Sequence, residues 1–179
     1  MKTQKLSLAG ILIALATVLS FVKLFDMPNG GSVTAGSMVP ILLFSMMADF
    51  KWGIIQACIY GIIQMMIGWY APPAQTAVSF IIVVLLDYIV AFGVLGLAGP
   101  ISRKLGDKPW SVMVASFVAL FLRFLCHFAT GILIWNSFAP EGQPIWLYSL
   151  LYNGGYMLFE TIISMVLILL IKPRLKVKL

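Results

Sequence analysis

One feature limits what this chain can fold into: apolar residues recur in runs near the length that crosses a bilayer, separated by short turn-rich or basic segments. A hydrocarbon core takes roughly 20 apolar residues per helix, with tilt widening the range. Six runs meet or approach that length, near 6–25, 35–49, 52–69, 76–98, 110–135 and 147–171. The second is short, lying between the Pro28-Asn29-Gly30-Gly31-Ser32 segment and Asp49. Charged residues are 10% of the 179, against about 25% in soluble domains. The expected architecture is all-α, a polytopic six-helix membrane bundle, with residues 1–179 as a single domain. The first run opens into charged and glycine-rich sequence without a small-residue cleavage site, so it reads as a retained helix.

The basic residues orient the bundle. In a six-span arrangement Lys2, Lys5, Lys51, Arg103, Lys104, Lys108, Lys172, Arg174, Lys176 and Lys178 fall on one side, ten of the twelve lysines and arginines. Cytoplasmic segments carry that excess, so both termini are predicted cytoplasmic. Orientation accounts for the net charge of +6, and nucleic-acid binding is not needed to explain it. The opposite side is rich in Gly, Pro and aromatic residues, which points to an outward-facing site. Trp110 and Trp146 read as ordinary interfacial residues.

Ionisable groups inside the spans require a reason, because at membrane depth they face a cavity, a partner or a ligand. Asp87 and Tyr88 sit in the fourth run, Arg123 and His127 in the fifth, and Glu160 in the sixth. Arg123 and His127 share a helix face that continues through Gly131 to Trp135. Asn153, Tyr156 and Glu160 share a face of the last helix, with Tyr148 nearer its outer end. Inward polar groups framed by aromatic rings suit a small-molecule pocket. Aromatic faces and a carboxylate suit a flat cationic or heteroaromatic solute, with His127 and Asn153 orienting it. The competing reading pairs Arg123 with Asp87 or Glu160 to hold the bundle together. Cys58 and Cys126 lie in apolar runs and read as buried small hydrophobes.

Four strings then occur in order: Pro28-Asn29-Gly30-Gly31-Ser32-Val33-Thr34, Leu86-Asp87-Tyr88-Ile89-Val90-Ala91-Phe92, Arg123-Phe124-Leu125-Cys126-His127, and Tyr148-Ser149-Leu150-Leu151-Tyr152-Asn153. Together they resemble the thiamin-specific substrate-binding subunits of energy-coupling-factor transporters, over nearly the whole chain. The resemblance implies a protein of the bacterial plasma membrane that binds thiamin from outside, the glycine-rich first outer loop closing over it. It implies Asp87, Tyr88, His127, Trp135, Tyr148 and Asn153 as the pocket, with Trp135 stacking on a thiamin ring and Asp87 complementing its charge. Tyr70 and Gln75 are placed at the outer rim. Some members carry glutamate where Asp87 stands. Some also carry a tryptophan near the first outer loop, where this chain has none before Lys51; Trp69 is the candidate replacement.

Gly10 and Ala14 form a small-xxx-small pair, which lets another helix approach closely, either within the bundle or from a partner. The resemblance implies that this face docks onto a transmembrane coupling subunit driven by two cytoplasmic ATPases. The chain has no Gly-x-x-x-x-Gly-Lys-Ser/Thr loop of its own, so ATP would be bound by those partners. No cofactor is expected. Two other classes compete. A self-sufficient proton-coupled transporter would use Asp87, His127 and Glu160 as relay groups, but no internal repeat supports it. An intramembrane enzyme would need a metal set or an activated nucleophile, and neither pattern is present.

Overall fold

The computed structural model describes residues 2–174. Six helices make up the bundle: α1 Lys2–Phe21, α2 Val39–Met47, α3 Phe50–Ile67, α4 Ala77–Lys104, α5 Pro109–Leu133 and α6 Ile145–Ile171. All but α2 are long and apolar enough to cross a membrane. At 1.5 Å per residue α2 would extend only about 14 Å, half a bilayer core. All nine of its residues are buried. The short second run is therefore an interior helix, reached through an extended approach from the outer side. Pro40 in its first turn fits a position where no backbone donor is needed.

Between α1 and α2 lies the one regular feature that the apolar pattern did not announce. Strands β1 (Lys23–Asp26) and β2 (Ser32–Thr34) pair antiparallel, with Phe25 opposite Val33 and Asp26 opposite Ser32. The turn joining them holds Gly30 at φ +88° and Gly31 at φ +89°, a conformation that side chains resist. At Gly31 a Cβ would also stand 2.7 Å from the Tyr156 ring. This hairpin caps the outer end of the bundle.

The core beneath it is apolar and dense, with Ile41, Leu42, Leu95, Ala98, Ala115, Ala119, Leu120 and Ile168 fully buried. Small residues let α2, α3 and α4 touch backbone to backbone; a Cβ on Gly99 would collide with the Ser45 carbonyl. α4 is irregular along its length, with wide i→i+5 turns over Val83–Val90 and tight i→i+3 turns over Val94–Leu97. Ser45 satisfies the backbone there: its hydroxyl donates to the Gly96 carbonyl at 2.6 Å and accepts from Gly99 N–H at 2.9 Å.

The inner end is tied by charge. Lys5 donates to Asp49 at 2.7 Å, and Asp49 caps α3 by accepting from Trp52 N–H. The Lys5 hydrogen bond holds the Asp49 carboxyl below its ordinary range. Arg103 donates to the Ala48 carbonyl at 2.9 Å, and Lys172 lies 3.8 Å from Asp107. The start of α1, the α2–α3 and α4–α5 junctions and the end of α6 thus share one side, which carries the basic excess. Lys176 and Lys178 lie outside the described residues.

Candidate functional site

Toward the other end the helices part around a cavity of about 540 Å³, walled by the hairpin, the end of α3, the segment after it, α4, α5 and α6. That volume falls within the ordinary range of small-molecule sites. Asp87 is its organising group. It lies in the wide-turn stretch of α4, a helix irregularity that recurs at functional sites. Its Oδ1 faces His127 Nδ1 at 2.9 Å and accepts from the Thr130 hydroxyl; its Oδ2 accepts from Trp135 Nε1 at 3.0 Å. The Thr130 hydroxyl also approaches the Cys126 and His127 carbonyls. With one proton to give, it favours the carboxylate, the charged acceptor. Asp87 therefore holds an imidazole and an indole in set orientations beside the cavity. A carboxylate has about four acceptor positions, so one stays available.

Aromatic rings form the mouth. The Tyr88 hydroxyl donates to the Gly68 carbonyl at 2.9 Å, and Trp69 stacks on Tyr88 and Phe80 at 5.8 and 5.9 Å between centroids. Tyr70 leans on Trp135 at 5.7 Å. Trp135 opens a single tight turn, Trp135–Phe138, just past α5. On α6, Tyr148 packs against Tyr152 at 5.6 Å. Asn153 donates to Ser149 Oγ and accepts from the Tyr156 hydroxyl, each at 3.2 Å.

The structure thus gathers Tyr70, Asp87, Tyr88, His127, Trp135, Tyr148 and Asn153 around one cavity. Gln75 is not among the lining residues and is exposed beyond the rim. Trp69, the candidate second wall, does line the cavity. Gly10 and Ala14 are on α1, exposed, and a Cβ on Gly10 would meet nothing within 4 Å. That face is not an internal packing face.

Four participants escaped the sequence reading in whole or part. Thr130 resembles any helical threonine until its hydroxyl is seen on Asp87. Tyr152 fastens the hairpin tip, accepting from Asn29 N–H at 2.8 Å and donating to the Gly30 carbonyl at 3.0 Å. Glu160 is anchored at the hairpin's base, accepting from Thr34 N–H at 2.7 Å and Thr34 Oγ1 at 2.8 Å. Arg123 pairs with neither Asp87 nor Glu160: among the described residues no carboxylate lies within 4.0 Å of it. Its guanidinium sits 3.9 Å above the Phe92 ring and donates to Met38 Sδ. Among the described residues no three His, Cys, Asp or Glu side chains gather as a metal set.

Residues 6–178 match the family model described as thiamine transporter protein. The chain is 35% identical over 181 residues to the thiamine transporter ThiT of Bacillus subtilis (strain 168), covering 92% of this chain and 90% of that one. It is 29% identical over 131 residues to ThiT of Lacticaseibacillus paracasei, covering 68% and 59%. Among solved structures it is similar to ThiT from Listeria monocytogenes, with TM-score 0.79, 20% identity, and coverage of 97% and 95%. It is also similar to the S component of a bacterial ECF transporter, with TM-score 0.64, 17% identity, and coverage of 97% and 96%. At those identities the two structures establish a shared fold.

Proposed function

The chain belongs to the thiamine transporter protein family, and from that premise we propose that it is the membrane-embedded subunit that captures thiamin outside the cell for ATP-driven uptake by an energy-coupling-factor complex. The observation that carries this reading is the Asp87 cluster in an aromatic-mouthed cavity at the end opposite the basic residues. Thiamin joins a permanent thiazolium cation to a neutral aminopyrimidine. Asp87 supplies the counter-charge, and its Coulomb attraction is strongest where low-dielectric walls exclude water. Trp135, Tyr70 and Trp69 offer ring faces to a cation. His127, Tyr148 and Asn153 orient the ligand through donors and acceptors.

The hairpin serves as the lid. Its tip is held by Tyr152 and its base by Glu160. Release would proceed inward after partners reorient the loaded subunit: a transmembrane coupling subunit docked at the exposed Gly10/Ala14 face, driven by two cytoplasmic ATPases. The setting is the bacterial plasma membrane. The protein itself performs no chemistry on the vitamin.

Thiamin titration of purified protein tests this through tryptophan emission, because Trp69 and Trp135 line the cavity. Saturable quenching at micromolar thiamin or below is expected; its absence would sink the assignment. In liposomes holding this subunit alone, a pH gradient should drive no uptake. Uptake under those conditions would favour a self-sufficient transporter.

A further inference from the structure

The two strands of the hairpin face different surroundings. On β2, Val33 and Thr34 are buried, Val33 packing against Tyr156 and Met157. All four residues of β1 are exposed, Leu24 at 61% and Phe25 at 60%, and Phe21 and Val22 just before them are exposed as well. Four adjoining apolar side chains turned away from the protein mark a contact surface. Two lengths indicate what lies against it. From Leu6 to Phe21 the apolar part of α1 rises about 24 Å, about 6 Å short of a hydrocarbon core. On α6, about 30 Å of helix counted outward from Ile171 ends near Tyr152, which holds the hairpin tip. Glu160, which holds the base, lies about 12 Å deeper on the same helix. Both rulers start on the inner side, where Lys5 pairs with Asp49 and Lys172 approaches Asp107. Both set β1 across the outer boundary of the hydrocarbon.

We propose that β1 is seated in the outer leaflet, with Phe21, Val22, Leu24 and Phe25 against acyl chains, and that this contact helps to hold the lid shut. The strand continues the outward apolar surface of α1, where Ile11, Leu15 and Val18 are exposed. Its charges suit that depth. Lys23 and Asp26 pair at 2.8 Å, as charges near lipid do, and the lysine stem can carry its ammonium toward the headgroups. Its backbone limits how far in it goes. The Val22 carbonyl accepts from Ala35 N–H at 3.0 Å, and Met27 N–H donates to the Gly31 carbonyl at 2.9 Å, so the hairpin is closed at both ends. Among the described residues the far edge of β1 has no neighbouring strand, and lipid excludes such an edge from mid-core but not from the boundary. Lifting the lid toward water would take the four side chains out of lipid and lose their apolar burial.

Two measurements on the subunit in phosphatidylcholine vesicles test this. With Cys58 and Cys126 replaced by alanine, Phe25→Cys carries a nitroxide whose collisions with oxygen, enriched in lipid, and with a water-soluble nickel chelate are compared. Leu158→Cys, exposed midway along α6, and Gln75→Cys, exposed beyond the rim, give the lipid and water references. The label at position 25 should favour oxygen as the one at 158 does. A preference for nickel, as at 75, overturns the seating; low collision rates with both reagents mean that protein covers the strand, and overturn it too. The second measurement is thiamin release. Phe25→Ser should speed it about tenfold, the loss of one partly buried aromatic contact, while Leu158→Ser leaves it unchanged; a parent-like rate in Phe25→Ser refutes the closing role. That role rests on the thiamin reading above, whereas the seating does not. If thiamin fails to bind at all, the functional assignment falls and the nitroxide still decides where β1 lies.

Discussion

The halves of the bundle on either side of Phe92 are built on different rules. Below it, α2, α4, α5 and α6 meet through Leu, Ile and Ala with little exposed surface, and polar side chains mostly serve their own helices or a neighbour's backbone. Above it, the helices part, and side chains bond side chains from distant elements: Asp87 to His127 and Trp135, Thr34 to Glu160. A packed half can hold its geometry while a hollow half keeps buried polar groups ready for a ligand. Stability and affinity should therefore separate along the molecule.

The largest expected effect attacks the packed half. Leu95→Ala, at a fully buried position, should cost about 2–5 kcal/mol of stability through the cavity it leaves. Thermal unfolding in detergent would register this, while thiamin affinity in the surviving fold stays near that of the parent; a large affinity loss would break the division. Asp87→Asn tests the hollow half in the opposite sense. It keeps the shape and removes the charge, so thiamin affinity should fall by about a hundredfold, with the melting temperature lowered less than by Leu95→Ala, because the amide sets an N–H against only some of the donors Asp87 accepts. Tyr152→Phe removes both hairpin bonds without altering the core. Stopped-flow release of thiamin should accelerate several-fold, about what one or two net hydrogen bonds supply.

The smallest effect belongs to the inner rim. Lys5→Ala removes an ion pair whose Asp49 side chain is 52% exposed, and such pairs contribute little. The sign of its pH dependence is still defined. Asp49 has a lowered carboxyl pKa when folded, so the pair's contribution is present above the ordinary carboxylate value and is lost as pH falls through the lowered one. Melting curves of parent and variant should converge in acid.

Much of this division is legible in the sequence. The spans and their orientation follow from apolar length and basic loops, and Asp87 and His127 stand out because charge inside a span has few explanations. Other parts leave no local trace. The Tyr152 latch joins positions 123 residues apart, and no periodicity encodes it. Thr130 gains meaning only once Asp87 is across from it. Of the readings open for Arg123, the ion pair is the one the structure does not show: its guanidinium lies on Phe92 and Met38, while Glu160 accepts from Thr34 and Asp87 from His127, Thr130 and Trp135. Gln75 follows Tyr70 in the same loop, and it is exposed and outside the cavity lining.

The shortness of α2 also bears on biogenesis. Segments are committed to a bilayer largely by hydrophobic length, and nine helical residues do not suffice alone. α1 and α3 can partition first, directed by the flanking Lys2, Lys5 and Lys51, with α2 drawn in only as its neighbours assemble. The half of the protein that looks most like a finished core would then be closed by its last arrival.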